Sequence, residues 1–172
     1  GAAFERASGC QLLPDPVRVQ AGLRRFLISH GDLLCTSDRR YQRFRDFARD
    51  EAVQRDFLKL PLSLRRRLAG LARADSRAYT RGASQNIMDV NPDAVAALFR
   101  LADADVLVHG HTHRPAVHRM HVDGRERTRI VLGDWYESGS CLALTADGRY
   151  ESLRLSTRAG STLSIESTSS RV

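Results

Sequence analysis

The sequence predicts a layered α/β fold, and three observations carry that prediction. Three short apolar runs, Phe26 Leu27 Ile28, Val106 Leu107 Val108 and Ile130 Val131 Leu132, have the length and composition of buried strands, and each feeds directly into a polar or glycine-containing stretch. A long helix-patterned segment separates the first run from the second. Past the second run, Asp-Gly pairs punctuate shorter β-type segments. With 172 residues and 42% hydrophobic content the chain can build one domain with a proper core. Its longest apolar runs fall far short of the roughly 20 residues needed to cross a bilayer, so the sequence does not read as a membrane-spanning protein.

The first run leads into Ser29 His30 Gly31 Asp32, the position at a strand's carboxyl end where layered α/β proteins carry reactive side chains. In the segment that follows, Tyr41, Phe44 and Phe47 recur at three to four residues, as do Val53, Phe57 and Leu60, then Leu64, Leu68 and Leu71. Pro61 breaks this run into separate helices. The whole reads as an amphipathic helical insertion over residues 38–85. Asn91 and Pro92 then supply an N-cap and a first helical residue, opening a helix that turns Val95, Leu98 and Phe99 to the core. After the second apolar run, Asp123 Gly124 and Asp147 Gly148 signal hairpins between the segments 117–122, 129–132, 140–144 and 149–155. From Ser156 to the end, Ser, Thr and Gly dominate, and this tail is expected to be disordered.

The net charge of +7 lies entirely in the insertion, where 12 arginines and Lys59 stand against six acidic residues between Asp38 and Arg81. Such a local field attracts phosphates, nucleic acid or anionic head groups. Three widely spaced cysteines, Cys10, Cys35 and Cys141, form no Cys-x-x-Cys pair and read as reduced thiols of a cytosolic protein. The opening Gly1 Ala2 Ala3 carries neither an initiator methionine nor a targeting pattern, and is read as lying inside a longer protein.

The stretch Val106 to Pro115 delivers two imidazoles two residues apart, off a buried strand. In extended backbone the side-chain period is two, so His111 and His113 are expected to project to one side and address one ion or two adjacent ions. His30 follows its own strand as His111 follows the other, and the two converge if those strands are neighbours. Asp32 could orient a ligand imidazole or stabilise a turn. His109, still within the strand, reads as a bystander, and His118 and His121 as surface residues of an outer hairpin.

Taken together, His30 Gly31 Asp32 with Leu34 Cys35 Thr36, Ile87 Met88 Asp89 Val90 Asn91, Gly110 His111 Thr112 His113 Arg114 Pro115 Ala116 Val117 His118, and Val131 Leu132 Gly133 Asp134 Trp135 resemble the UDP-2,3-diacylglucosamine diphosphatases. These are calcineurin-like metallophosphoesterases of lipid A biosynthesis, and the similarity runs from about Phe4 to Leu155. The resemblance implies the carboxyl-terminal part of an αββα sandwich with a helical lid. It also implies hydrolysis of the pyrophosphate of UDP-2,3-diacylglucosamine to UMP and 2,3-diacylglucosamine 1-phosphate. On the same basis His30 and His111 would serve one manganese ion and His113 the other, the three forming the catalytic set. Asp38, Arg73, Ser76, Thr80 and His111 would contact the glucosamine phosphate. The lid would place the enzyme peripherally on the cytoplasmic face of the inner membrane, with a lipid-linked nucleotide sugar as partner and neither a nucleic acid nor a protein partner implied.

Two family features differ. Thr80 stands where the family commonly has an amide residue and Ala83 where it has a lysine, and a methyl group cannot hold a phosphate. No Asp-x-His and no Gly-Asn occurs in the chain, so the early metal-bridging motifs are missing from it and the isolated chain is expected to be inactive. Imidazoles alone also suit zinc or iron. Two other readings remain open on sequence: a related phosphodiesterase for another nucleotide, and a basic nucleic-acid-binding module using the arginine surplus.

Overall fold

The structure is a computed structural model that describes residues 1–84, 87–136, 139–158 and 162–168. A short helix α1 (Ala2–Ser8) precedes strands β1 (Val17–Ala21) and β2 (Arg24–Ser29); helices α2 (Arg39–Arg49), α3 (Glu51–Lys59), α4 (Leu62–Gly82) and α5 (Pro92–Ala102) follow. Then come β3 (Val106–His109), β4 (Ala116–Val122), β5 (Arg125–Val131), β6 (Gly139–Leu144), β7 (Tyr150–Arg158) and β8 (Thr162–Thr168). The chain divides into two compact units, Gly1–Asp32 with Val95–Val172, and Leu33–Ala94.

In the first unit the three apolar runs become neighbouring parallel strands. The five-stranded sheet has the order β1-β2-β3-β5-β4, with Phe26, Val106 and Thr128 in register across the parallel trio and antiparallel partners at both edges. Both faces of these central strands are largely buried, Ile28 of β2 being exposed, which is why they read as continuous apolar runs instead of alternating ones. On one face Phe26, Val106, Val108 and Ile130 form a core cluster with Ala21 and Tyr150, and Leu142 and Leu144 of β6 pack against it. The Phe26 and Tyr150 rings meet edge-on at 6.2 Å. On the other face Leu27 and Leu107 are buried, and α5 buries Val95, Leu98, Phe99 and Ala102, a single stripe at helical spacing. As the Asn-Pro pair predicts, Asn91 caps α5, its Oδ1 accepting from the amides of Asp93 and Ala94.

The second sheet, β6-β7-β8, is antiparallel throughout. Its first turn touches the β1–β2 turn so closely that a Cβ on Gly148 would lie 2.5 Å from the Ala21 carbonyl oxygen, and one on Gly22 2.5 Å from that of Asp147. Only glycines let the two turns abut.

One expectation is corrected here. The tail expected to be disordered from Ser156 is strand through Arg158 and again over Thr162–Thr168, paired from Ser152↔Thr168 to Arg158↔Thr162. The run Thr162 Leu163 Ser164 Ile165 alternates polar and apolar residues, a period-two sequence pattern that the overall Ser and Thr content of the tail conceals. Residues 159–161 and 169–172 of that tail lie outside the described residues.

The second unit is helical. Pro61 separates α3 from α4, and a break that periodicity did not signal separates α2 from α3, where the Asp50 side chain accepts from the Val53 amide and starts a new helix. None of α2, α3 and α4 buries a residue. Residue 85, the end of the expected insertion, lies outside the described residues. Among the described residues no helix is long and apolar enough to cross a membrane.

Candidate metal centre

Because β2, β3 and β5 are parallel and in register, their carboxyl ends emerge at one level, and the backbone ladder continues past the strands: Gly110 N–H donates to the His30 carbonyl at 3.1 Å and Leu132 N–H to that of His109 at 2.7 Å. His30, His111 and Asp134 therefore leave the same sheet edge. The His30 and His111 rings stand with centroids 5.0 Å apart at 59°. The His30 ring presents Nδ1 to Asp32 Oδ1 at 3.3 Å, and the Asp32 side chain is nearly fully buried. The contact is a close approach short of a hydrogen bond, and it leaves Nε2 as the nitrogen on the far side of the ring from the carboxylate. Asp15 fixes the loop from below, its Oδ1 accepting from the Ser29 hydroxyl at 2.7 Å and the His30 amide at 3.1 Å.

The extended-backbone expectation for His111 and His113 is corrected. The strand ends at His109, and both residues are in the left-handed region, with φ of 68° and 53°. The Thr112 amide donates to the Gly110 carbonyl at 2.8 Å, closing a γ-turn around His111 of the rare positive-φ form. The two side chains consequently part company. His111 goes to His30, whereas His113 places Nδ1 3.8 Å from Asp134 Oδ2 and its ring 6.3 Å from that of Tyr136. Neither Asp134 nor Tyr136 is assigned to the site from sequence, although Asp134 stands in a segment that carries the family resemblance, at the end of the third strand.

The donor chemistry of His30 and His111 suits a divalent first-row transition ion. Yet among the described residues no group of three or more His, Cys, Asp or Glu side chains is placed to hold one ion. What the described residues provide is an oriented imidazole pair and, apart from it, a histidine beside an aspartate.

Of the residues expected to meet substrate, Asp38, Arg73, Ser76 and Thr80 lie in the helical unit, and two of these make hydrogen bonds within it. Asp38 is buried, at 5% exposure, and caps α2: its Oδ1 accepts from the Tyr41 amide at 2.9 Å and the Tyr79 hydroxyl at 2.8 Å. That hydrogen bond raises the Tyr79 hydroxyl above its ordinary pKa. Thr80 donates its hydroxyl to the Ser76 carbonyl at 2.9 Å, a bond within the helix. Arg73 and Ser76 are exposed on α4, and Ala83 is its C-cap. Elsewhere on the sheet His118 and His121 are exposed on the edge strand β4.

No protein-family model matches the chain. Curated relatives do. A UDP-2,3-diacylglucosamine hydrolase of Stenotrophomonas maltophilia is 45% identical over 155 residues, covering 86% of this chain and 62% of the relative. One of Nitrosococcus oceani is 47% identical over 148 residues, covering 86% and 59%. The chain is homologous to the UDP-2,3-diacylglucosamine hydrolases. A third such hydrolase, of Bordetella parapertussis, is 48% identical over 135 residues, 78% of this chain and 52% of its own length. The chain thus spans between about half and three fifths of the length of these relatives. Among solved structures, Vps29 of Entamoeba histolytica complexed with zinc aligns over 92% of this chain and 62% of its own, at 14% identity and a TM-score of 0.45.

Proposed function

We propose that this chain supplies part of the active site of a hydrolase that cleaves the pyrophosphate of UDP-2,3-diacylglucosamine with water, giving UMP and 2,3-diacylglucosamine 1-phosphate. One observation carries the reading: the strand-end imidazoles His30 and His111 converge within a segment 45% identical to hydrolases named for that substrate. In this reading His30 and His111 hold one divalent ion, manganese, and His113 faces a second. When bound, such ions polarise phosphoryl oxygens and offset the charge that develops there. The protein's own part is orientation: Asp15 holds the His30 backbone, the γ-turn fixes His111, and Asp32 and Asp134 stand beside the His30 and His113 rings. Arg73 and Ser76, exposed on α4, are assigned to the phosphosugar; Asp38 supports that surface through Tyr79.

The helical unit supports a lipid-linked substrate. Phe44, Phe47, Leu58, Leu62 and Leu71 are all more than half exposed on helices that carry the chain's entire positive excess. Exposed apolar side chains among arginines suit an anionic amphiphile, and with it peripheral attachment to the cytoplasmic face of the inner membrane. A nucleic-acid module would use the arginines and leave the apolar residues unexplained.

A chimera tests the reading. The matching 155-residue segment of the Stenotrophomonas maltophilia hydrolase is replaced by this chain, and UMP release from UDP-2,3-diacylglucosamine is measured with manganese present. The chimera is expected to release UMP and the chain alone none. A folded chimera without UMP release, or one that cleaves another nucleotide diphosphate in preference, sinks the proposal.

A further inference from the structure

His109 reads in the sequence as a bystander, yet it is the best-placed histidine in the molecule to control the other two. Its ring is 1% exposed and both nitrogens have partners. Arg129 Nη1 lies 3.1 Å from Nε2, and Nδ1 lies 2.9 Å from the Gly110 carbonyl oxygen. A guanidinium has only donors, so Nε2 must accept, and the ring proton must sit on Nδ1, where it can donate to Gly110. The partners thus select one neutral tautomer.

The Gly110 carbonyl is the acceptor that closes the strained turn around His111. Two N–H groups, from Thr112 and from the His109 ring, therefore occupy both lone pairs of this one oxygen and fix its direction. The other imidazole's loop rests on the same ring. Gly31 has φ of 103°, and a Cβ there would lie 2.7 Å from His109 Nδ1 and 3.2 Å from its Cβ. The backbone after His30 is thereby packed flat against His109, with room for nothing larger than glycine. One buried ring touches both loops that carry the converging imidazoles.

We propose that His109 is a positioning residue: held by Arg129 as the Nδ1–H tautomer, it clamps the Gly110 carbonyl and seats the Gly31 backbone, and so sets the separation of His30 and His111. The proposal rests on the reading of those two imidazoles as a ligand pair, but its structural core can be read without any metal.

The test uses the full chain labelled with ¹⁵N-histidine. Long-range ¹H–¹⁵N spectra are expected to show His109 as a slowly exchanging Nδ1–H tautomer; an Nε2–H or averaged pattern overturns the proposal. Arg129→Met should release the ring into both tautomers, and an unchanged pattern counts against it. His109→Phe fills the space without the bonds and should abolish cross-relaxation between the His30 and His111 rings. It should also raise the cobalt(II) concentration for half-saturation about tenfold or more. His109→Asn, whose amide can reach the Gly110 carbonyl, should restore both. A folded His109→Phe variant that keeps the ring contact and native cobalt affinity overturns the idea. If it does not fold, the tautomer and Arg129→Met results decide. A native chain with the fixed tautomer and ring contact but no cobalt binding upholds the positioning role and defeats the metal reading instead.

Discussion

The two ends of the same three parallel strands are built on opposite principles. At the amino ends Arg25 and Arg127 lace Asp103 and Asp105 together: Arg25 reaches both carboxylates, and Arg127, almost fully buried, reaches Asp105 at 3.0 Å and Asp103 at 3.3 Å. Charge is matched by charge, and the one left-handed residue there, Asp103, is the residue that ends α5. At the carboxyl ends the chain holds His111 and His113 in left-handed backbone and brings the His30 and His111 rings to 5.0 Å, tilted at 59°. Among the described residues four non-glycine residues have positive φ; Asp103 ends α5 and Asp123 starts the Asp-Gly hairpin, both ordinary uses of that region. Only the two histidines adopt it without a cap or hairpin to explain it. Strain is concentrated where chemistry is proposed, and stabilising pairs are concentrated away from it.

The largest effect that would test this division is at Arg127. Arg127→Leu keeps much of the buried volume but leaves Asp103 and Asp105 short of a partner, and unfolding in urea should show a loss of about 2–3 kcal/mol. Cobalt binding at the other end should stay within about twofold of the native value, since the sites share no partner. A stability loss accompanied by a collapse of cobalt affinity would mean that the two ends are one cooperative site and that the comparison is false.

Acid should reveal the same division more weakly. The Asp105 carboxyl is held below its ordinary value of 3.8, first by its hydrogen bond from Arg25. A depressed folded-state value stabilises the fold above about pH 4 and ceases to do so as pH falls through it. Because the side chain is about one third exposed, the contribution is about 1 kcal/mol or less. Urea midpoints measured from pH 6 down to pH 2 should fall on the acid side, and Asp105→Asn should flatten that fall. An Asp105→Asn profile as steep as the native one would remove this pair from the account.

The sequence made some of this legible and hid the rest for physical reasons. Apolar runs and 3.6-residue periodicity identify β2, β3, β5 and α5, because burial on both faces or one stripe leaves a compositional trace. The meeting of His30 and His111 was also readable, since parallel neighbours in register must end together. What stayed hidden depends on where hydrogen bonds go. The γ-turn at His111, the taking-up of Asp38 by Tyr41 and Tyr79, and the return of the Thr80 hydroxyl to its own helix leave no mark on residue spacing. His109 is the sharpest case: only the positions of Arg129, Gly31 and Gly110 distinguish a clamp from a spectator.

The smallest effect is the most discriminating. At His113, with φ of 53°, a residue bearing a Cβ pays a steric cost that glycine does not. His113→Ala and His113→Gly both delete the imidazole, so they remove the same ligand and the same approach to Asp134. They differ in backbone: alanine keeps the clash and glycine relieves it, although glycine's freer unfolded chain takes back part of the gain. His113→Gly should therefore be the more stable of the two by about 0.5–1 kcal/mol in urea unfolding. An alanine variant as stable as the glycine variant would show that this backbone carries no strain worth relieving. The contrast between the two strand ends would then rest on His111 alone, where the turn closed on Gly110 and held by His109 provides a physical reason for strain to persist.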